Sequence, residues 1–336
     1  MKQVYNGVDI VKFLGALCVM TYHALASAFG LEWRWFLLEH SIFRLAVPFF
    51  FVASGFFLGK KVRKNPEKRR AYFGAYLKRL AFLYAVWGSP AIALDLAYGI
   101  NDGMSILQAL GKVLHTTILL HNGVMWYMGA LIFAAAVLYF MDTEKKLRIS
   151  IWLGGAAFVV GMFLDSYSGI FLGTPMETVV NWYNQVFLSV NNGVFVGYFF
   201  TAVGYGYGAC PGKERSLRYD LGIVVFGYAV FCVELLILSH IPLSLTGTYC
   251  STLHMLILSP VLFRLAVRPW KWLPKETGFF RFSSTFMYFT HAILLSGLIF
   301  LFDLTSIAQY ALMLVLELVA AAVVYRWNNP WINKLF

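Results

Sequence analysis

The sequence predicts an all-α polytopic integral membrane protein of about ten transmembrane helices plus one short interfacial helix, with both termini cytoplasmic. Three observations predict it. Of 336 residues, 60% are apolar and 13% are charged, against roughly 25% charged in a soluble globular chain. The apolar residues form continuous runs rather than alternating ones, which disfavours a β-barrel. The basic residues gather at one set of run ends. A mean hydropathy of +0.69 excludes disorder, and one soluble domain could not hide so much apolar surface.

The runs cover 8–28, 41–59, 73–97, 124–141, 149–165, 192–209, 220–240, 249–268, 282–302 and 305–325. Each is long enough, or nearly so, to cross a hydrocarbon core of about 30 Å, and lipid demands that their backbone groups be satisfied internally. The first run has Lys2 before it and Ala26-Ser27-Ala28 near its end, as a cleaved signal would. It is punctuated by Asp9, Lys12 and His23, however, and reads as a retained span. In the second run, Pro48 removes a backbone donor and is expected to kink the helix. Ser54-Gly55 allows close helix approach. The segment 106–119 is shorter and carries Lys112 and His115, so it reads as the interfacial helix. Asn191-Asn192-Gly193 opens the sixth span, where Asn can cap or bond across helices. The longest polar stretch is about 60–72. The expected organisation is a single transmembrane domain over 1–336 with no soluble domain.

A net charge of +11 raises nucleic acid as a partner. Its placement answers the question. With both ends cytoplasmic, 23 of the 27 Lys and Arg residues face inward, among them the cluster Lys60, Lys61, Arg63, Lys64, Lys68, Arg69 and Arg70. This is the positive-inside rule with attraction to anionic headgroups; no nucleic-acid partner is expected. Cys18, Cys210, Cys232 and Cys250 lie far apart without a CxxC pair. They read as small core residues, with neither a disulfide framework nor a metal site.

Ionisable groups inside a span are costly and therefore functional candidates. Lys12 and His23 are separated so that they fall within about 20° of one helix face, about 16 Å apart along the axis. Asp9 stands one turn before Lys12, at ion-pair spacing. One face thus carries polar groups at both depths, as a cavity or pathway would. An interfacial Asp9–Lys12 pair with Lys12 snorkelling remains the plainer alternative. Arg44, near the outer end of the second span, is either an anchor or a ligand group. Lys78 and Arg79, early in the third, are positive-inside anchors or a grip for phosphates. Taken singly, His254 and His291 read as structural. Glu234 and Glu317 read as buried partners or proton-relay members. His40, His115, His121 and His240 read as scattered interfacial residues. No P-loop, Rossmann glycine pattern, HExxH, GxSxG elbow or kinase motif occurs.

Four places together resemble acyltransferase family 3, the membrane O-acyltransferases. They are Lys12 followed by His23 after ten intervening positions; Phe43-Arg44-Leu45-Ala46-Val47-Pro48-Phe49-Phe50-Phe51 leading to Ser54-Gly55-Phe56; Met125-Trp126-Tyr127-Met128; and Asn192-Gly193-Val194-Phe195 with Gly197, followed by Ser284 to His291. Within the family the chain is similar to the membrane domain of vancomycin-resistance-type serine racemases, through Asp165-Ser166, Thr174-Pro175 and the Asn192 segment. Two positions depart from the acyltransferase pattern. Phe82 stands where a second Arg often follows the one matching Arg79, and Asn191 stands where Arg often precedes the Asn-Gly pair. Both weaken the expected grip on a phosphate-bearing donor.

The resemblance implies a bacterial-type cytoplasmic (inner) membrane enzyme moving an acyl group, acetyl in the simplest case, from cytoplasmic acetyl-CoA to a hydroxyl of a cell-envelope carbohydrate. No permanently bound cofactor is implied. His23 would be the catalytic base, with Asp9 and Lys12 in the catalytic set. Arg44, Ser54, Trp126, Tyr127, Asn192 and His291 would bind substrate, and Lys78 and Arg79 the donor's phosphates. The racemase-type relatives imply an alternative: transport of serine or a related small amino acid, held as a zwitterion by the same charges. They carry a cytoplasmic racemase domain after the bundle, so a serine racemase domain or partner stays open. A non-catalytic lipid- or partner-binding protein would explain the bundle but not the face shared by Lys12 and His23.

Overall fold

The computed structural model describes residues 5–29, 32–212, 215–302 and 306–336; Lys2 and Lys213 of the inward-facing set lie outside them. The described residues form helices and connections, with no strand. In order they are α1 (Asn6–Phe29), α2 (Trp33–Ser41), α3 (Ala46–Lys64), α4 (Arg69–Asn101), α5 (Ile106–Ile118), α6 (Trp126–Tyr139) and α7 (Glu144–Leu164). They continue with α8 (Pro175–Phe187), α9 (Tyr198–Ala209), α10 (Leu217–His240), α11 (Leu253–Val267), α12 (Gly278–Leu301) and α13 (Ser306–Trp327). Each expected span contains a helix. Eight segments among the described residues are long and apolar enough to cross a membrane, while α11 is apolar but shorter. This is an all-α, multi-pass membrane protein.

Local chemistry sets several boundaries. Ser105 caps α5 through a reciprocal box with Gln108, and Thr143 and Ser216 cap α7 and α10 by accepting from Lys146 and Tyr219 backbone amides. The expected short helix at 106–119 is α5. It buries Ala109 and Val113 and exposes Leu107, Leu110, Leu114 and Ile118. The helices α2 and α8 are additions to the sequence reading, since each is short and amphipathic enough to pass as a connection.

Two expectations are corrected. Pro48 is the third residue of α3, in the first turn, where its missing N–H breaks no helical bond. The prolines inside helices are Pro90 of α4 and Pro260 of α11. The cysteines are free and none is fully buried: Cys210 and Cys232 are exposed, Cys18 and Cys250 half-buried. Cys18 and Cys232 lie in membrane-spanning helices, where a small apolar thiol beside lipid gains little from burial, and Cys210 and Cys250 lie in connections.

The chain divides into two compact units, residues 1–47 with 263–336, and residues 48–262. In the first unit α1, α12 and α13 pack pairwise. Asp9 meets Arg281 near one end and His23 meets His291 further along, so α1 and α12 run parallel. The third helix runs antiparallel to them: Tyr325 packs on Phe279 and Phe282, Glu317 bonds Thr290, and Tyr310 bonds Thr21.

In the second unit, α3 and α9 cross at van der Waals contact of their backbones. Gly55 and Gly59 on α3 face Thr201 and Tyr205 carbonyls. Gly204 and Gly208 on α9 face those of Val52 and Phe56. A Cβ at any of the four would overlap a carbonyl oxygen, which is why small residues recur four apart on both helices. Gly204→Ala is expected to destabilise the protein by about 1–3 kcal/mol, read as a lowered melting temperature in detergent. Gly74→Ala, where nothing lies within 4 Å of the new methyl, serves as the neutral control.

Candidate functional site

In the first unit, α1 displays its polar face as the spacing predicts, but the pairing differs from expectation. Asp9 is buried, and its carboxylate is taken by Arg281 rather than Lys12. Arg281 Nε and Nη2 donate to Asp9 Oδ1 at 3.0 Å and Oδ2 at 2.7 Å, and Thr277 Oγ1 donates to Oδ2 at 2.7 Å. The bidentate guanidinium outcompetes the ammonium because it matches the carboxylate edge. Lys12 is half-buried, makes no hydrogen bond among the described residues, and lies in electrostatic reach of both Asp9 and Arg281.

His23 lies about 21 Å along α1 from Asp9. The residue is exposed although it sits within a membrane-spanning helix. Neither ring nitrogen has a hydrogen-bond partner among the described residues. Its neighbours are the Tyr22 ring at 5.2 Å and the His291 ring at 5.4 Å between centroids. His291 is fully buried; its Nδ1 bonds the Met287 carbonyl oxygen at 2.7 Å, and its Nε2 is buried without a partner among the described residues.

Arg44 sits in a 3-10 turn, Phe43–Leu45, between α2 and α3. Its Nε donates to Glu39 Oε1 at 2.6 Å, and its Nη2 to Tyr22 Oη at 2.9 Å, with the guanidinium also 4.4 Å from the Tyr22 ring. The cation is therefore compensated by Glu39, which is 7% exposed, and tethered beside His23. Sequence reasoning missed Glu39, Tyr22, Arg281 and Thr277. A buried acid five residues before Arg44 was the available signal for the first. Arg281 was hidden among the inward-facing basic residues.

In the second unit, Ser54 Oγ of α3 lies 3.1 Å from Tyr127 Oη at the start of α6. Tyr76 of α4 approaches the same Ser54 hydroxyl, with Arg79 in electrostatic reach of Tyr76. The Phe51 ring lies 4.5 Å from Tyr127 and 6.0 Å from Trp126. The result is a hydroxyl cluster in an aromatic setting. Lys78 and Arg79 are both exposed on α4.

Asn192 caps a π-helical turn, Gly193–Gly197, that leads into α9. Its Oδ1 accepts from Val194 and Phe195 amides at 2.9 and 3.1 Å. Its Nδ2 donates to Tyr183 Oη and Ser189 O at 2.9 and 3.0 Å. All four hydrogen-bonding positions of the amide are engaged, so in this arrangement Asn192 shapes backbone rather than offering a free group. The turn is pressed on α6: a Cβ at Gly193 would stand 2.5 Å from Phe133 Cβ, and one at Gly197 2.7 Å from Ala130 Cβ.

Two further buried carboxylates of this unit have structural partners. Glu234 accepts from Tyr167 Oη, from the Leu253 and His254 amides at the start of α11, and faces His254 Nδ1 at 3.0 Å. Asp165 gathers the 246–251 segment through hydroxyls and backbone amides. Tyr183, beside Asn192 and outside the membrane-spanning segments, has its phenol pushed up to about 12 by burial.

The fold and site define a multi-pass helical membrane protein whose first helix carries on one face an ammonium and an imidazole without a hydrogen-bond partner among the described residues. The sequence profile of acyltransferase family 3, described as an acyltransferase domain, matches residues 5–326. The chain belongs to that family of membrane acyltransferases. It is also similar to a serine/alanine racemase of Enterococcus gallinarum, 27% identical over 349 residues, covering 97% of this chain and 47% of the relative. An amino-acid racemase of Enterococcus faecalis is 27% identical over 237 residues, covering 69% of this chain and 31% of the relative. The chain thus spans less than half the length of either relative. No solved structure matches it.

Proposed function

We propose that the protein transfers an acyl group, acetyl in the simplest case, from a cytoplasmic acyl-coenzyme A to a hydroxyl of a cell-envelope carbohydrate or similar acceptor. The observation that carries this reading is His23: an exposed residue inside a membrane span whose ring nitrogens have no hydrogen-bond partner among the described residues. Imidazole titrates near working pH, which suits a general base. His23 takes the proton of the acceptor hydroxyl as its oxygen attacks the thioester carbonyl. The C–S bond then breaks, and the departing thiolate takes the proton. Arg44, oriented by Glu39, steadies the acceptor or the developing oxyanion. Lys78 and Arg79 are assigned the donor's phosphates. Ser54, Tyr127 and Trp126 offer hydroxyl and aromatic contacts to substrate. Asp9 holds Arg281 near Lys12, and Lys12 supplies a cation on the same face as His23.

A second reading is transport of serine or a related small amino acid, as a membrane domain that serves a racemase domain or partner. It is favoured by the names of the two relatives and by the positions Phe82 and Asn191, where basic residues for a phosphate-bearing donor are missing. One preparation decides between the two. Purified protein in proteoliposomes is assayed for acetyl-CoA turnover with envelope carbohydrate and for uptake of radiolabelled serine. Turnover without serine flux is expected. Serine flux without turnover overturns the acyltransferase reading.

A further inference from the structure

We propose that His291 is the positioning residue of His23, a second imidazole that fixes which nitrogen of His23 acts as the base. The inference rests on the reading of His23 as base and adds to it a partner on α12.

The tautomer of His291 follows from its surroundings. A carbonyl oxygen only accepts, so Nδ1, 2.7 Å from Met287 O, carries a hydrogen. A second hydrogen on Nε2 would make a fully buried imidazolium, which is costly. Nε2 is therefore a bare lone pair. It is buried and has no partner among the described residues, a debt that native interiors rarely leave unsettled. The group able to settle it is the neighbouring ring. His23 stands 5.4 Å away between centroids at an interplanar angle of 37°, and two imidazoles sharing an N–H···N bond have centroids about 5 Å apart. A small tilt of the exposed ring closes that contact. His23 then donates one N–H to His291 and presents its other nitrogen, unprotonated, to solvent or substrate.

The consequence for the reaction is specific. When His23 accepts the acceptor's proton it becomes an imidazolium, and its N–H bond to His291 strengthens because the donor is now charged. His291 keeps its own proton throughout. The other charged groups around the pair in this unit are Arg44 with its counter-ion Glu39, reaching His23 through Tyr22, and Glu317, which accepts from Thr290 beside His291. An imidazolium at His23 needs a hydrogen-bond acceptor, and the Nε2 lone pair of His291 is the one its ring neighbour offers. Parallel packing of α1 and α12 is what delivers it.

The test compares His291→Leu with His291→Gln, whose amide oxygen can replace the Nε2 lone pair. In the reconstituted protein, His291→Leu is expected to lower kcat about 10- to 100-fold, as losses of an orienting partner do, with little change in KM for acetyl-CoA. The acid limb of its pH–rate profile should move to lower pH. His291→Gln should recover most of both. Nitrogen NMR of histidine-labelled protein reads the same contact without turnover. His23 should hold one tautomer in the parent and mix its tautomers in His291→Leu. Unchanged His23 tautomers in His291→Leu, or equal losses in both variants with an unmoved pH profile, overturn the proposal. A parent without acyl transfer but with the tautomer change sinks the acyltransferase reading and leaves the imidazole pair standing.

Discussion

His23→Ala is expected to lose acyl transfer by about 10²- to 10⁴-fold, the range that general bases contribute, while the protein still inserts and folds. The two halves of that expectation have separate physical grounds. The catalytic loss follows from removing the open imidazole placed in a span of this unit beside Arg44 and Tyr22. The structural tolerance follows from what His23 does not do. It makes no hydrogen bond among the described residues and is exposed, so its removal forfeits only ring contacts, worth about 1 kcal/mol. Turnover is measured on purified protein with matched melting temperatures. Parent-level turnover in His23→Ala would remove the central residue from the proposed mechanism. A large drop in melting temperature would instead mean that the ring packs more than it reacts.

Asp165→Ala is expected to show the opposite pattern, a loss of stability of about 2–4 kcal/mol from donors left without their acceptor, independent of any ligand. Asp165 ends α7 and is 2% exposed. Its Oδ1 accepts from Thr246 and Thr248 hydroxyls at 3.1 and 2.5 Å. Its Oδ2 accepts from the Ser166 hydroxyl and the Cys250 and Ser251 amides at 3.1, 2.6 and 3.1 Å. Alanine removes the acceptor of the buried Ser166 hydroxyl and Ser251 amide and of the half-buried Cys250 amide, while the Thr246 and Thr248 hydroxyls keep each other as partners. Asn is expected to cost less, about 1–2 kcal/mol. Its amide oxygen can serve the two backbone donors, while its NH₂ faces threonine hydroxyls able to reverse and accept. Thermal unfolding in detergent, followed by intrinsic fluorescence, orders the three proteins. Equal stability of Asp165→Ala and the parent would show that this segment does not depend on the carboxylate.

The contrast between these residues marks how far the sequence was legible. The long helices were, because hydropathy sums locally and a run of about 20 apolar residues has few other fates. The Lys12–His23 face was, because helical periodicity alone aligns the two residues. The Asn192 cap was as well, since Asn before a glycine-rich apolar run is a local signal. The helices α2 and α8 were not. They are short and half-polar, so hydropathy does not separate them from loops. Pro48 misled because its effect depends on where a helix starts, and the start of α3 is fixed by the turn at Phe43–Leu45. Asp165 was visible only as part of a resemblance. Its partners lie some 80 positions away in sequence, and nothing in either segment names the other.

The sequence by itself determined that this chain is a bundle of membrane-crossing helices with charges kept where they are expensive. Those properties come from solvation, which each residue feels on its own. Tertiary structure decided who answers each charge: Arg281 rather than Lys12 for Asp9, Glu39 for Arg44, His291 beside His23. Such choices depend on helix direction and register. These are set by close contacts such as Gly7 of α1 against the Ala266 backbone, and in lipid, where all apolar faces are nearly equivalent, hydropathy carries no record of them.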